Sequence, residues 1–478
     1  MALREYRPQQ HHLFWSPPEE VLPPDHLCFI VDEIVEQLDL GRLPDRRKTA
    51  GSPAYDPRLL VKILFYGYAT GTCSSRQLMR ACREQLPYTY LARQQYPDHR
   101  TISDFRKENR EFLHEAFVEI VRLAGEMGLG RLGTVALDST RLRANASRAA
   151  TIMAQELERA LQEAERIDQE EDARYGKDSS GDEQPEGLRT SSQRLERLRK
   201  AKERLVEKPR KTINTTDPEA TFEAQGTALI PSYCAHAVVN EEGLIVDAFV
   251  RNNPADYDGL VEATGHLKQT LQEKPERLLA DSGYYSIKNL ELLKDQGIEG
   301  YIPSTQQARD AKDKFAPQKF AKKAFHYDPQ RDVYLCPLGK ELVFWRTNRK
   351  LGHRNYRGTC CEECAARKEC VRGKKPYRIV CRSHQEEIMQ EMHERMESEE
   401  GKRIYARRKT LVERIFGHIK YNLKFRQFLL RGRQAVESEW LLLCIGMNIR
   451  KIRAFLNRTL LSPITRRVTH SPGYLYAS

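Results

Sequence analysis

The stretch Tyr405–Arg433, YARRKTLVERIFGHIKYNLKFRQFLLRGR, constrains the chain more than any other. Leu411, Ile415 and Ile419 recur every four residues, which predicts an amphipathic helix running into a basic tail. On an α-helix Lys409, Glu413 and Lys420 share a face. Glu413 is the only carboxylate between Gly401 and Val436, set among cations that run from Lys402 to Arg433. One salt bridge does not need so many cations. An acid that holds a metal ion beside a bound polyanion does. A fold that uses Glu413 in this way must bring further carboxylates to it, and the rest of the chain has to supply them.

The wider composition agrees with a polyanionic partner. Charged residues make up 31 % of the 478, the net charge is +12, and the hydrophobic content of 40 % is enough for a core. No apolar run is long enough to cross a bilayer, and the N-terminus lacks the apolar core of a signal peptide. The expectation is a soluble intracellular protein that directs its charge at nucleic acid rather than at a membrane. In a reducing compartment, clustered cysteines read as metal ligands rather than disulfides.

Along the chain, residues 1–125 read as short helices with basic faces, a pattern that suits a helix-turn-helix-like DNA-binding domain. Asp56-Pro57 opens one of them and Gly71 closes it; Thr101 opens another, which carries Arg106. GTVALDS is a short strand ending in Asp138. The charged segment 154–211 reads as a helical hairpin patterned by Leu157, Leu161, Ile167, Leu195, Leu198 and Leu205. SYCAHAVVN and GLIVDAFVRN form a β-hairpin across Glu241–Gly243; a helix, a strand ending in Asp281, a helix and a strand follow. This is a mixed α/β sheet built from 126–153, 212–303 and 396–460. It is interrupted at 304–395 by a cysteine-rich insertion and followed by a tail, 461–478. Both aspartates are expected at C-terminal strand ends, where open α/β sheets place their sites.

Asp138, Asp281 and Glu413 are three acids that such a fold can converge. Converging carboxylates can hold two divalent ions, and two ions suit in-line phosphoryl transfer. In the insertion, Cys336, Cys361, Cys364 and Cys370 can bind a structural Zn2+, with Cys381 and His384 as spare ligands, or remain reduced thiols. Tyr284 and Tyr285 either stack on splayed bases or pack the turn after Asp281. His236 and Cys28, Cys73 and Cys444 read as core.

Most of the chain resembles the cut-and-paste DDE transposases of bacterial insertion sequences, in the branch with a cysteine-bearing insert. The resemblance rests on PRLLVKILFYGYATGTCSSRQLMRAC and PDHRTISDFR in the N-terminal region. In the core it rests on VALDSTRLRANAS, LLADSGYYS and RRKTLVERIFGHIKYNLKFRQFLLRG. It implies an RNase H-like core with Asp138, Asp281 and Glu413 as the catalytic triad, binding two Mg2+ ions that Mn2+ can replace. It implies a Tyr–Arg–Glu–Lys signature matched by Tyr405, Arg408, Glu413 and Lys420. Arg408 stands one residue too far from Glu413, and α-helical spacing favours Lys409 in its place. Tyr405, Arg408, Lys409, Lys420, Lys424, Arg426 and Arg106 are expected at DNA. The implied partners are double-stranded terminal inverted repeats and target DNA, met by a homodimer at the bacterial nucleoid in the cytoplasm. The alternatives are a non-catalytic DNA-binding regulator and a structure-selective nuclease on the same fold.

Overall fold

The computed structural model describes residues 18–41, 43, 54–175, 186–226, 228–252, 257–310, 319–348, 353–371, 376–383 and 385–459. The expected tail, His384 and the side chain of Ile167 lie outside what is described. The chain divides into two compact units, Met1–Lys274 with Lys409–Ser478, and Pro275–Arg408.

The first unit begins with helices α1 (Leu27–Gln37), α2 (Pro57–Thr70), α3 (Ser75–Glu84), α4 (His99–Glu108) and α5 (Arg110–Glu126). Local chemistry sets their ends. Asp56 accepts from the Arg58 N–H at 2.9 Å, Pro57 opens α2, and Gly71 closes it at φ 87°, a left-handed conformation that favours glycine. Helix α4 starts two residues before Thr101, because the Asp98 carboxylate caps it through the Arg100 and Thr101 N–H groups at 2.7 and 2.9 Å.

Strand β1 (Thr134–Arg143) follows, then helices α6 (Ala154–Tyr175) and α7 (Glu186–Glu207). These two helices pack around Leu157, Leu161, Leu195, Leu198 and Ala201, with Ile213 from a short ribbon of Thr151–Met153 paired with Thr212–Asn214. Strands β2 (Thr221–Gln225), β3 (Ala228–Asn240) and β4 (Ile245–Arg251) and helix α8 (Tyr257–Thr270) come next. In this unit β3 pairs antiparallel with β1, β2 and β4, and a single parallel bridge joins Arg143 to Gln427. The β3–β4 turn uses Gly243 at φ 83°.

The C-terminal helix Arg433–Thr459 fastens helices and sheet together. It packs on α1, α2, α4, α5 and β4. A Cβ at Gly446 would stand 2.7 Å from the Ala69 nitrogen, so this helix and α2 touch backbone to backbone. On its other side the Trp440 indole donates to the His236 carbonyl at 2.8 Å. The Asn448 amide pairs with both the N–H and the carbonyl of Ile245, at 2.9 and 2.8 Å.

In the second unit β5 (Arg277–Ala280) pairs in parallel with β6 (Glu299–Tyr301), and Ser286 caps the intervening helix α9 (Ile287–Gln296). A five-stranded antiparallel meander follows, made of β7 (His326–Asp328), β8 (Val333–Leu335), β9 (Glu341–Asn348), β10 (His353–Gly358) and β11 (Ile379–Ser383). The unit ends with helices α10 (Glu386–Glu397), on α9 and β6, and α11 (Glu399–Arg408), on β5 and β6. The described residues are thus mixed α/β with a helical N-terminal region, and no helix among them is long and apolar enough to cross a membrane.

One expectation fails here. Asp138 does not end its strand. It sits in the middle of β1, opposite Ala237, because Ser139–Arg143 keep pairing with Ser232–His236 of the long strand β3.

Candidate active site

Asp138 is half-buried, and its carboxylate accepts from the Ser139 N–H at 2.8 Å. Glu413 belongs to the same unit and is exposed at the end of a π-helical turn, Lys409–Glu413. The turn buries Leu411 and Val412 and packs on β1 and β3, so Asp138 and Glu413 stand on touching elements. Asp281, in the second unit, directly follows β5 as the sequence suggested. Its carboxylate accepts from the Gly283 N–H at 2.8 Å and caps a single 3-10 turn, Ser282–Tyr284. Among the described residues no group of three His, Cys, Asp or Glu side chains is placed so as to hold a metal ion.

The stretch around Glu413 is not one regular α-helix. Helix α11 runs into the π turn, one α turn follows (Arg414–Gly417), and then a second π turn (His418–Asn422). A π turn pairs residues five apart rather than four. The residue one turn before Glu413 is therefore Arg408 and not Lys409, which corrects the choice made on α-helical spacing. The extra residue between Arg408 and Glu413 is what the wider turn absorbs. Nor do Lys409, Glu413 and Lys420 keep a common α-helical face across two such turns. Arg408 stacks on Tyr405 with its guanidinium carbon 5.9 Å from the ring centre. Lys420 is half-buried, and desolvation lowers its ammonium pKa. Lys424 and Arg426 are exposed.

Arg106 is not at a surface. It is 2 % exposed and donates to the Cys73 carbonyl at 2.9 Å, to the Tyr68 hydroxyl and to Glu439 at 3.3 Å. Its charge is spent inside the protein, which removes it from the DNA contacts expected of it. Glu439 itself went unread. The signal was there: an acid directly beside Trp440, at the head of the apolar run WLLLCIG. Tyr284 is fully buried and so packs the turn rather than offering a face to bases; Tyr285 is half-buried, and burial pushes its hydroxyl up to about 12. His236 is core as expected. It is buried, stacked on Phe249 at 4.8 Å, and desolvation lowers its pKa to about 3. Cys28, Cys73 and Cys444 are buried too.

Cys336, Cys361, Cys364 and Cys370 line one cavity of about 30 Å³ beside the meander, together with Cys360. The Lys340 and Arg378 N–H groups donate to the sulfurs of Cys336 and Cys361 at 3.3 and 3.5 Å. A Cβ at residue 358 would stand 2.4 Å from the Cys361 sulfur, so any larger residue there would displace that sulfur. Burial raises the Cys370 thiol pKa, and the neighbouring sulfurs of Cys361, Cys336 and Cys364 add to the effect. Cys381 is exposed on β11 and does not line the cavity.

Two family models match. One, described as "Transposase DDE domain", covers residues 335–453, which include Glu413 and the four cysteines but neither aspartate. The other, "Transposase domain (DUF772)", covers residues 16–108, the stretch of α1 to α4. No curated protein matches the chain. The lone acid among cations, its seat against the strand of Asp138, and the two matches at opposite ends of the sequence lead to one family: the chain is an insertion-sequence transposase of the DDE type.

Proposed function

We propose that this transposase cuts DNA at the ends of an insertion sequence and joins the freed 3′-hydroxyl to target DNA. In this reading Asp138, Asp281 and Glu413 form one carboxylate set on an RNase H-like core. The observation that carries the reading is Glu413. It lies within the DDE match, it is the only acid in a basic stretch, and its turn rests on the strand of Asp138. Carboxylate oxygens are the donors that hard divalent cations take, so the three residues fit Mg2+, with Mn2+ as a substitute. When bound, the ions supply activation of the attacking oxygen and stabilisation of the leaving one.

The chain's own residues orient and hold. Backbone N–H groups at Ser139 and Gly283 fix one oxygen of each aspartate, which sets the direction of the carboxylates. Lys420 contacts a phosphate of the element's end, and Tyr405, Arg408 and Lys409 also contact DNA. Lys424 and Arg426 follow the DNA backbone. In the first step water oxygen bonds to phosphorus and the bond to the 3′-oxygen breaks, leaving a 3′-hydroxyl and a 5′-phosphate. In the second, that 3′-oxygen attacks a target phosphorus and displaces the target's own 3′-oxygen. One phosphodiester is formed for one broken, so no outside energy source is required.

Residues 1–125 are proposed as the DNA-binding domain, 154–211 and 304–395 as insertions into the core, and a homodimer as the species that holds two ends. The working compartment is the bacterial cytoplasm, at the nucleoid. Cys336, Cys361, Cys364 and Cys370 are proposed to take one structural Zn2+. Their shared cavity and the N–H···S bonds support this, and the four sulfurs would close in on the ion.

The test is cleavage and strand transfer on DNA carrying the inverted repeats that flank the coding sequence. Asp138→Asn, Asp281→Asn and Glu413→Gln should each lose cleavage while end binding persists. Cleavage surviving in any of the three rejects the triad, and cutting without joining by the wild type means a nuclease.

A further inference from the structure

The segment Lys424–Arg433, which follows the second π turn, has little secondary structure of its own yet is pinned along its length. Arg143 at the end of β1 donates its N–H to the Arg426 carbonyl at 3.2 Å and accepts from the Phe428 N–H at 2.9 Å. Asn145 donates to the Leu429 carbonyl at 2.6 Å. One oxygen of Glu439 accepts from the Leu429 and Leu430 N–H groups at 2.8 and 3.0 Å. Glu219 accepts from the Arg433 N–H at 2.7 Å. Phe425, Phe428 and Leu430 point inward and are buried.

The outward side chains are different. Lys424, Arg426 and Arg431 are exposed, and among the described residues none of the three is ion-paired with a carboxylate. Arg426 and Arg431 each anchor their Nε on a backbone carbonyl, of Lys420 at 3.3 Å and of Asn145 at 2.8 Å. The Arg426 guanidinium also lies over the Tyr421 ring, 5.3 Å from its centre, and both exposed side chains extend from a fixed base. Lys424 holds φ 55°, a left-handed conformation that a residue with a side chain adopts only when its surroundings impose it.

Burying a carboxylate is costly, and Glu439 is fully buried. Half of its bonding capacity goes to the amides of an exposed basic segment. A floppy segment would lose side-chain and backbone freedom on meeting a polyanion; one already fixed does not. We propose that Lys424–Arg433 is a preformed strap for the phosphate backbone of duplex DNA. Arg431 is a third phosphate contact in it beside Lys424 and Arg426, and Glu439 is the positioning residue that sets it. The proposal rests on the reading that the chain binds DNA.

The test uses the full chain, a duplex bearing the element's end, and an unrelated duplex of equal length. Binding is measured across a salt series. Arg431→Ala should lower the slope of log K against log salt by about 1 on both duplexes, as should Lys424→Ala and Arg426→Ala. Lys200→Ala, whose ammonium is paired with Glu196 and takes no part in the strap's bonds, should leave it unchanged. Glu439→Ala should lower the slope by more than one unit without removing any cation. Asn145→Ala, at the solvent edge, loosens the same strap if Glu439→Ala fails to fold, and should also lower it. An unchanged slope in Arg431→Ala, with wild-type binding steeply salt-dependent, overturns the strap alone. A wild type without salt-dependent binding overturns the DNA reading beneath it. A loss confined to the element's end would mean base readout and also refutes the proposal.

Discussion

Replacing Arg106 by alanine should cost stability and leave DNA binding almost untouched. Arg106 and Glu439 are both sealed from solvent, at 2 % and 0 % exposure. Without Arg106 the carboxylate of Glu439 keeps the Tyr68 hydroxyl at 2.9 Å and the amides of Leu429 and Leu430, but loses its only cation in the described network. Breaking a buried pair from one side costs about 3–5 kcal/mol. The three remaining donors place the expected loss near the lower end, at about 3 kcal/mol. Burial already raises the Glu439 pKa. A carboxyl raised in the folded state favours folding at low pH and opposes it as pH rises past the unfolded value. The variant should therefore regain stability as pH falls, more than the wild type does. Urea unfolding can be followed through Trp440, buried in the C-terminal helix, with Trp15 and Trp345 replaced by phenylalanine. The double variant Arg106→Met with Glu439→Gln removes both charges and should be less unstable than the sum of the two single variants by about 1–2 kcal/mol. The reasoning fails if Arg106→Ala unfolds at the wild-type urea midpoint and lowers the salt slope of DNA binding by about 1, since Arg106 would then face phosphate.

Further outcomes follow from other contacts. Gly446→Ala pushes a methyl group against the backbone of Ala69 and should destabilise the helical region by about 1–3 kcal/mol, read as a lower urea midpoint by the same probe. His236 is lowered from 6.5 to about 3 by burial, so its folded pKa lies below its unfolded one. The stability it allows is full above the unfolded value and is lost as pH falls; at about pH 5 the loss is roughly 2 kcal/mol, and His236→Phe should flatten that limb of a stability–pH curve. Cys364→Ser should lower the zinc content measured by atomic emission from one equivalent towards none and loosen the meander in hydrogen exchange; wild-type protein purified without zinc, yet equally protected, would count against the metal site.

What could be read from the sequence was what neighbouring residues decide. Asp56-Pro57 and Gly71 gave the ends of α2, and Glu241–Gly243 gave the β3–β4 turn, because caps and tight turns are set within four residues. What could not be read depends on residues far along the chain. The length of β1 is set by its partner β3, so the position of Asp138 within it was misjudged. The meander of the second unit was missed because its inward face is built from Tyr334, Leu342, Tyr356 and Val380 on short strands otherwise rich in arginine, where the apolar alternation is faint. The π turns were hidden because Leu411, Ile415 and Ile419 keep a four-residue step whether or not the backbone widens between them.

Arg106 shows the deeper limit. A basic residue on a short helix of a basic protein reads the same whether it meets phosphate or a buried acid, and charge composition cannot separate the two cases. The separating evidence lay with its partner. An acid placed against an apolar helix face is costly to bury unless a cation and donors reach it, so Glu439, next to Trp440, required a buried cation from somewhere in the chain. Glu439, just ahead of the apolar run that starts at Trp440, holds Arg106 in the interior, and the loop amides that share its carboxylate belong to the strap that carries Arg431.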